Sequence, residues 1–191
     1  MDDRPHFRPA ALGAILADAA RLRFAMSCED RTGSLLATLA ASKPGGCLLE
    51  LGTGVGAGAS WLLHGARPDA HLISVETDPA RQAVATGHLG HDPRASFVVA
   101  DADAWLDSYT GPAFALAYVD CRPGKFHRLD DLIELLEPGG LYVVDDLLPQ
   151  PTWPSGHQAR VDSFLAHLPD HPNLLGTRVT WASGLVIGSR I

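Results

Sequence analysis

Three acidic side chains follow two apolar runs in the second half of the chain. Asp120 ends the run over residues 113–120, and Asp145 and Asp146 end the run over residues 141–146. Short apolar runs of this kind predict buried parallel strands, whose carboxyl ends meet at one edge of a sheet. Carboxylate oxygens gathered there suit a hard divalent cation such as magnesium, or the orientation of a ligand. We therefore expect a polar site around these three residues, with both uses open.

Three side chains near this edge could accept a proton. Lys125 and His127 follow Asp120 in the same loop, and His157 ends the segment over residues 153–157. A histidine titrates near neutral pH and suits general base catalysis, and a lysine serves when its environment favours the neutral amine. Each is more often a surface residue than a catalyst, so the choice among the three stays open.

A glycine-dense turn precedes all of these residues. The apolar run over residues 47–51 leads into Gly52, Gly54 and Gly56, and a stretch with helix-forming character follows. Alternate glycines let the backbone approach a ligand, and the start of a helix presents free N–H groups to an anion. Glu50, two residues before the first glycine, is unwelcome in a buried strand unless it is hydrogen-bonded or faces a site. The turn therefore predicts a cofactor cradle.

The next predicted strand, over residues 71–76, ends in another carboxylate. Glu76 lies about two dozen residues after the first glycine, where an acidic side chain reaches ribose hydroxyls in sheets of this type. Asp78 is the competitor, and we favour Glu76 because it lies directly at the strand end.

The elements that must position these residues alternate regularly. Two helices, over residues 9–23 and 33–41, precede the first strand, and residues 26–31 between them form either a cover for the cofactor or a plain loop. After the glycine turn the pattern predicts strands at 71–76, 96–100, 113–120 and 141–146, with helices at 79–89, 103–109, 126–136 and 158–168. Residues 178–181 and 185–188, joined by a short turn, predict an antiparallel hairpin. The fold class is thus α/β, a doubly wound sheet with helices on both faces.

Composition limits the partners. The chain has 191 residues, 46% of them hydrophobic, and a formal net charge of -7. We expect a single domain, with residues 1–42 as a helical cover and residues 46–191 as the core. The negative charge argues against nucleic acid, and no apolar stretch is long enough for a membrane span, so we expect a soluble, cytoplasmic protein with a small-molecule substrate. Whether the protein forms a homodimer is left open. The three cysteines fit reduced thiols.

The motif Glu-x-Gly-x-Gly-x-Gly at residues 50–56 resembles motif I of class I S-adenosylmethionine (SAM) dependent methyltransferases. That resemblance implies a Rossmann-like seven-stranded sheet in the order 3-2-1-4-5-7-6 with an antiparallel strand in the last hairpin. It also implies that Asp101 accepts from the adenine amino group and that the Ala102 N–H meets the ring, although a helix N-cap explains Asp101 equally well. The implied cofactor contacts are Glu50, Gly52, Thr53, Gly54, Gly56, Glu76, Thr77, Asp101, Ala102 and Asp120.

The carboxylates after the fourth and fifth strands narrow the resemblance to catechol and caffeoyl-CoA type O-methyltransferases. In that group an Asp and an Asp-Asn pair hold a divalent cation, and here Asp146 stands in place of the Asn. Those enzymes also carry a lysine base soon after the first Asp, whereas this chain has Asp120 followed by Cys-Arg-Pro-Gly before Lys125. The segments over residues 120–125 and 145–154 resemble a bacterial subgroup of small O-methyltransferase-like proteins.

The resulting hypothesis is a SAM-dependent methyltransferase that acts on the oxygen of a small hydroxylated molecule, with or without a divalent cation. One alternative is a metal-independent methyltransferase acting on another nucleophile such as nitrogen. A second is a non-catalytic SAM-binding module that docks a partner through Trp153. A third, a nicotinamide dehydrogenase, fits the glycines but leaves Glu50 and the Asp145-Asp146 pair unexplained.

Overall fold

The computed structural model describes residues 2–151 and 153–191, and in this part of the chain seven strands form one sheet. The order along the sheet is β3-β2-β1-β4-β5-β7-β6. Strand β7 is antiparallel to both neighbours, and the other pairs are parallel. This confirms the predicted α/β class, strand order and antiparallel hairpin. The strands are β1 (Cys47–Leu51), β2 (His71–Glu76), β3 (Ala95–Val99), β4 (Phe114–Val119), β5 (Leu136–Val144), β6 (Leu174–Val179) and β7 (Leu185–Arg190).

Seven α-helices accompany the strands in the same described residues. They are α1 (Leu12–Arg21), α2 (Asp30–Ala41), α3 (Ala57–Gly65), α4 (Pro79–Leu89), α5 (Ala102–Ser108), α6 (Leu129–Glu134) and α7 (His157–His167). A 3-10 turn over Leu168–Asp170 follows the last helix. The N-terminal pair α1 and α2 packs beside α3 and α4 on one face of the sheet.

Alternation along each strand creates two hydrophobic cores. Leu48 and Leu116 lie in the core shared with α1 to α4, whereas Leu49 and Ala117, their neighbours in the chain, lie in the core shared with α5 to α7. Successive strand side chains point to opposite faces, so a buried parallel strand must be apolar at nearly every position. Glu50 interrupts this pattern with no exposed surface.

Several predicted elements differ in extent from those observed, and strand β6 begins at Leu174 rather than at Arg178. Strand β5 begins at Leu136 rather than at Leu141, and its pairing with β4 shifts register between Phe114 and Leu116. Helix α6 begins at Leu129 rather than at Phe126, because residues 123–127 form their own turn and Arg128 has a positive φ of 60°. Within the described residues no helix has the length and apolar character needed to cross a bilayer.

Candidate active site

One cavity of about 710 Å³ lies along the carboxyl ends of β1, β2, β4 and β5. Its volume is in the range of pockets that hold small molecules and cofactors. The glycine turn and the ends of β2 and β3 line one half, and the residues after β4 and β5 line the other. Of the predicted site residues, the cavity wall includes Glu50, Gly52, Thr53, Gly54, Glu76, Thr77, Asp101, Ala102, Asp120, Lys125, Asp145, Asp146 and His157.

Glu50 carries a buried carboxylate at the bottom of the cavity. Its Oε2 accepts a hydrogen bond from the Ser74 hydroxyl, and its Oε1 has no partner among the described residues. Burial raises the pKa of Glu50 to about 8. An unpartnered buried oxygen of this kind suits a ligand donor, and an ammonium group would stabilise the charged form.

Glu76 is fixed by two backbone donors. The Gly54 N–H lies 2.8 Å from Oε2, and the Asp78 N–H lies 3.0 Å from Oε1. Each carboxylate oxygen keeps lone pairs for further donors, so Glu76 can accept from a pair of ligand hydroxyls. Its competitor Asp78 instead caps α4, accepting from the Ala80 N–H at 2.8 Å, and does not line the cavity.

The glycines of the turn have different roles. A Cβ on Gly52, whose φ is 97°, would lie 2.8 Å from the Asp120 carbonyl oxygen, so the cavity floor requires glycine there. Gly56 does not line the cavity. A Cβ at Gly56 would lie 2.8 Å from the Cβ of Ala85, so its glycine lets α3 pack against α4. Gly56 thus has a packing role in this structure, and its contact with a cofactor stays a prediction.

Asp101 is both an N-cap and a cavity residue. Its Oδ1 accepts from the N–H groups of Asp103 and Ala104, at 3.0 and 3.2 Å, at the start of α5. The cap uses this one oxygen, and Oδ2 makes no hydrogen bond to the described residues. The two predicted roles of Asp101 are thus compatible, since the cap orients the side chain and leaves an acceptor free.

Asp120 and Asp145 face the second half of the cavity. Burial, followed by the charge of Asp145, raises the pKa of Asp120 well above its ordinary value, and burial also raises the pKa of Asp145. Lys125 is buried beside them and donates to the Asp145 carbonyl oxygen at 2.8 Å. This arrangement holds a cation next to two carboxylates and limits their repulsion.

The two histidine candidates separate clearly. His157, the first residue of α7, lines the cavity, and its Nε2 has no hydrogen-bond partner in the described residues. Burial lowers its pKa, so the ring is neutral at pH 7. His127 is exposed, lies 3.1 Å from the Asp103 carboxylate and does not line the cavity. The structure brings Lys125 and His157 to the site but not His127.

The family model described as a methyltransferase domain matches residues 49–147, which run from the glycine turn through the Asp145-Asp146 pair. The chain belongs to this methyltransferase domain family. The match covers the strands that carry Glu50, Glu76, Asp101 and Asp120.

Relatives and solved structures agree with this membership. A protein of Mycolicibacterium vanbaalenii named "Putative O-methyltransferase" is 31% identical over 117 residues, covering 59% of this chain and 52% of that protein. The chain thus spans about half the length of the curated relatives it matches. An O-methyltransferase from Bacillus cereus in complex with SAH, the demethylated product of SAM, superposes with a TM-score of 0.85 at 16% identity, covering 97% and 93% of the two chains. The O-methyltransferase TomG of Streptomyces achromogenes, in complex with SAM, superposes with a TM-score of 0.83 at 21% identity, covering 96% of this chain and 91% of that chain. At these identities the superpositions show the shared fold.

Residues outside the predicted cofactor and acid–base set also line the cavity. Residues 24–29, between α1 and α2, line the cavity, so this segment covers the site as one of the two interpretations expected. The Phe24 ring lies over the turn, 3.1 Å from where a Cβ of Gly54 would be, and the Arg81 guanidinium lies 4.8 Å above that ring. Ser183, in the turn between β6 and β7, donates to Asp145 Oδ1.

The carboxylates predicted to hold a cation already have protein donors. Asp145 accepts from the Tyr118 hydroxyl at 3.0 Å and from the Asp146 N–H at 2.7 Å, besides Ser183. Asp146 accepts the Trp153 indole N–H at 2.8 and 2.7 Å on its two oxygens. Among the described residues no group of three His, Cys, Asp or Glu side chains is arranged to hold a metal ion. These hydrogen bonds use part of the acceptor capacity of Asp145 and Asp146, and magnesium at Asp120, Asp145 and Asp146 stays a prediction.

Proposed function

We propose that this protein transfers the methyl group of SAM to an oxygen atom of a small hydroxylated molecule. The observation that carries the proposal is the single cavity in which the Glu50, Gly54 and Glu76 cradle is continuous with Asp120 and His157. When bound, SAM supplies an electrophilic methyl group on a sulfonium centre. The family membership supports this assignment, and the substrate and its nucleophilic atom are part of the proposal.

The cofactor half of the cavity would hold SAM by complementary charges and hydrogen bonds. The unpartnered Glu50 Oε1 would accept from the amino group of the methionine part. Glu76 would accept from the ribose hydroxyls, and the free oxygen of Asp101 from the adenine amino group. Thr53 and Thr77 line the same half. The Phe24 ring lies over the turn and would help to exclude water from the bound cofactor.

The half of the cavity after β4 and β5, here called the acceptor half, would hold the substrate and remove the proton of its hydroxyl group. We assign His157 as the base, because its ring is neutral and Nε2 has no partner in the described residues. Lys125 donates to a carbonyl oxygen, so we assign it to charge balance near Asp120 rather than to proton abstraction. A base held near the acceptor hydroxyl typically contributes about 10² to 10⁴ in rate, and the remainder comes from orientation.

The alternatives have less support. Trp153 donates its indole N–H to Asp146 and lies against His157 with ring centroids 4.4 Å apart, so it belongs to the cavity wall and is not a protruding anchor for a partner. The match to a methyltransferase domain also disfavours a nicotinamide dehydrogenase. A homodimer stays a prediction.

The test is product formation by the purified protein. Incubation with SAM and a panel of catechols and related vicinal diols should give SAH and a methylated product, detected by mass spectrometry. Parallel reactions with EDTA and with added magnesium test cation dependence, since loss of turnover in EDTA and its recovery with magnesium would restore the metal hypothesis. Tight SAM binding without turnover on oxygen or nitrogen acceptors would favour the non-catalytic module.

A further inference from the structure

Rings form much of the wall in the acceptor half of the cavity. Pro123 and Phe126 follow β4, and Trp153 and His157 follow β5. The Phe126 and His157 rings meet edge to face with centroids 5.2 Å apart. A wall of flat apolar surfaces favours a planar, aromatic acceptor. This reading rests on the proposed methyl transfer.

Three cationic side chains line the whole cavity, and two of them have partners. Arg81 lies 3.2 Å from the Asp78 carboxylate and over the Phe24 ring. Lys125 is buried and donates to the Asp145 carbonyl oxygen. Arg122 is exposed on the cavity wall and makes no ion pair or side-chain hydrogen bond within the described residues. It is therefore the cavity cation that is available to a ligand.

The nearby carboxylates do not form an ion pair with Arg122 in the described residues. The oxygens of Asp145 accept from Tyr118 and Ser183, and those of Asp146 accept from Trp153. Burial lowers the pKa of His157 most, the Asp146 charge raises it, and the charges of Lys125, Arg122 and Arg160 lower it, so the charge of Arg122 acts at the acceptor end beside that of Asp146. An anion that enters this end meets a guanidinium without a competing protein partner.

We propose that Arg122 binds a carboxylate carried by the methyl acceptor, so that the preferred substrate is a hydroxylated aromatic acid. The planar guanidinium can donate two parallel N–H bonds to a carboxylate, which fixes both the position and the rotation of the attached ring. With the acid group held on the loop after β4, the ring lies along the apolar wall and its hydroxyl is directed to His157. A matched ester keeps the shape and loses the charge.

Binding to the SAH-loaded protein tests this without requiring turnover. The probes are 3,4-dihydroxybenzoate and its methyl ester, titrated by calorimetry into wild type and Arg122→Gln. We expect the wild type to bind the acid at least about tenfold more tightly than the ester, as charge-assisted hydrogen bonds allow. Arg122→Gln should abolish that preference and leave SAH affinity unchanged. Arg160→Gln, on the exposed surface of α7, is the matched control and should change the preference by less than about threefold.

Three outcomes overturn the proposal: equal binding of acid and ester by wild type, binding of neither, or an equal loss of both in Arg122→Gln. Failure of the proposed function is distinguishable, because it appears as absence of SAH or SAM binding, or as SAM binding without turnover of any acceptor. If the two probes are also turned over, the same preference should appear in KM.

Discussion

The indole N–H of Trp153 lies 2.8 Å from Oδ1 and 2.7 Å from Oδ2 of Asp146. Asp146 has a positive φ of 61°, an unusual conformation for a residue other than glycine. The His157 Nε2 lies 3.8 Å from Asp146 Oδ2, so the same carboxylate faces both the indole and the imidazole. Trp153 therefore positions the carboxylate that stands beside the proposed base.

Replacing Trp153 tests this positioning role. Trp153→Phe keeps an aromatic ring and removes the N–H donor, so kcat for methyl transfer should fall by about tenfold, as loss of one charge-assisted hydrogen bond predicts. SAM affinity, measured by calorimetry, should not change. The control is Trp105→Phe, since Trp105 packs against Tyr109 and Phe114 away from the cavity. A Trp153→Phe enzyme with wild-type kcat would contradict the role.

Replacing each of the two histidine candidates should have a different effect on kcat. His157→Gln should lower kcat by about 10² or more, whereas His127→Gln should leave it within about twofold, because His127 lies outside the cavity. Burial lowers the pKa of His157 from its ordinary value of 6.5, so its ring stays neutral and able to accept a proton to a lower pH than a free imidazole. The pH profile of kcat in wild type should thus decline only on the acid side, and that decline should disappear in His157→Gln. Unchanged kcat in His157→Gln would transfer the base role to Lys125.

Glu76 and Asp78 form a second matched pair. Glu76→Gln removes the charge that would accept ribose hydroxyls, and SAM affinity should fall by about tenfold or more. Asp78→Asn keeps the helix cap, since Asn caps as well as Asp, and should change SAM affinity by less than about threefold. Calorimetry on both variants gives the comparison. Equal affinities in wild type and Glu76→Gln would refute the ribose assignment.

Gly58 lies where the buried carboxylate requires space. A Cβ there would lie 2.2 Å from Glu50 Oε1 and 3.0 Å from the Tyr118 ring. Gly58→Ala should lower the free energy of unfolding by about 1 to 3 kcal/mol, through overpacking. Gly87→Ala, in α4 with nothing within 4 Å of the new Cβ, should raise it by about 0.5 to 1 kcal/mol. Urea unfolding measures both, and the same sign for the two variants would contradict the packing argument.

The elements that are predictable from sequence are those set by local pattern. Strand β2 and helix α4 have the predicted bounds, because an apolar run ends at Glu76 and the Asp78 cap and Pro79 begin the helix. Glu76 and Asp120 reach the cavity for the same reason, since residues at the carboxyl ends of parallel strands share one edge. Extents that depend on pairing, such as the early start of β5, follow from the neighbouring strand and not from local pattern.

The contacts within the site were less accessible to sequence reasoning. Ser183 reaches Asp145 across 38 residues of chain, and only the docking of the β6–β7 turn brings the two together. Asp145 and Asp146 line the cavity, but the donors to their oxygens include Tyr118 and Trp153, whose directions depend on packing. His127 and His157 have equally suitable side chains, and only burial distinguishes them. Local composition therefore predicted which residues gather, and tertiary packing decides what each one binds.

The pH dependence of stability should report the buried carboxylate of Glu50. Burial raises its pKa from 4.5 to about 8, so between these values the folded state holds a proton that the unfolded state has lost. The free energy of unfolding then falls as pH rises from about 4.5 to about 8, by at most about 1.4 kcal/mol per pH unit. Glu50→Gln carries no titratable proton, and its stability should decline less steeply. Urea unfolding at several pH values gives both slopes.

Ligand binding should reverse this titration. If the amino group of SAM pairs with Glu50, the carboxylate becomes charged, so binding at pH 7 releases a proton to the buffer. Calorimetry in buffers of different ionisation enthalpy should show that release in wild type and its loss in Glu50→Gln. Gln82→Glu is not a suitable control variant. Gln82 donates hydrogen bonds to the Ser74 and Val98 carbonyl oxygens, and a carboxylate could not donate them. Asp101→Asn is suitable, since it alters the adenine end and should keep the proton release. If wild type and Glu50→Gln showed the same slope of unfolding free energy against pH and the same proton release, that result would contradict the pairing of the SAM amino group with Glu50.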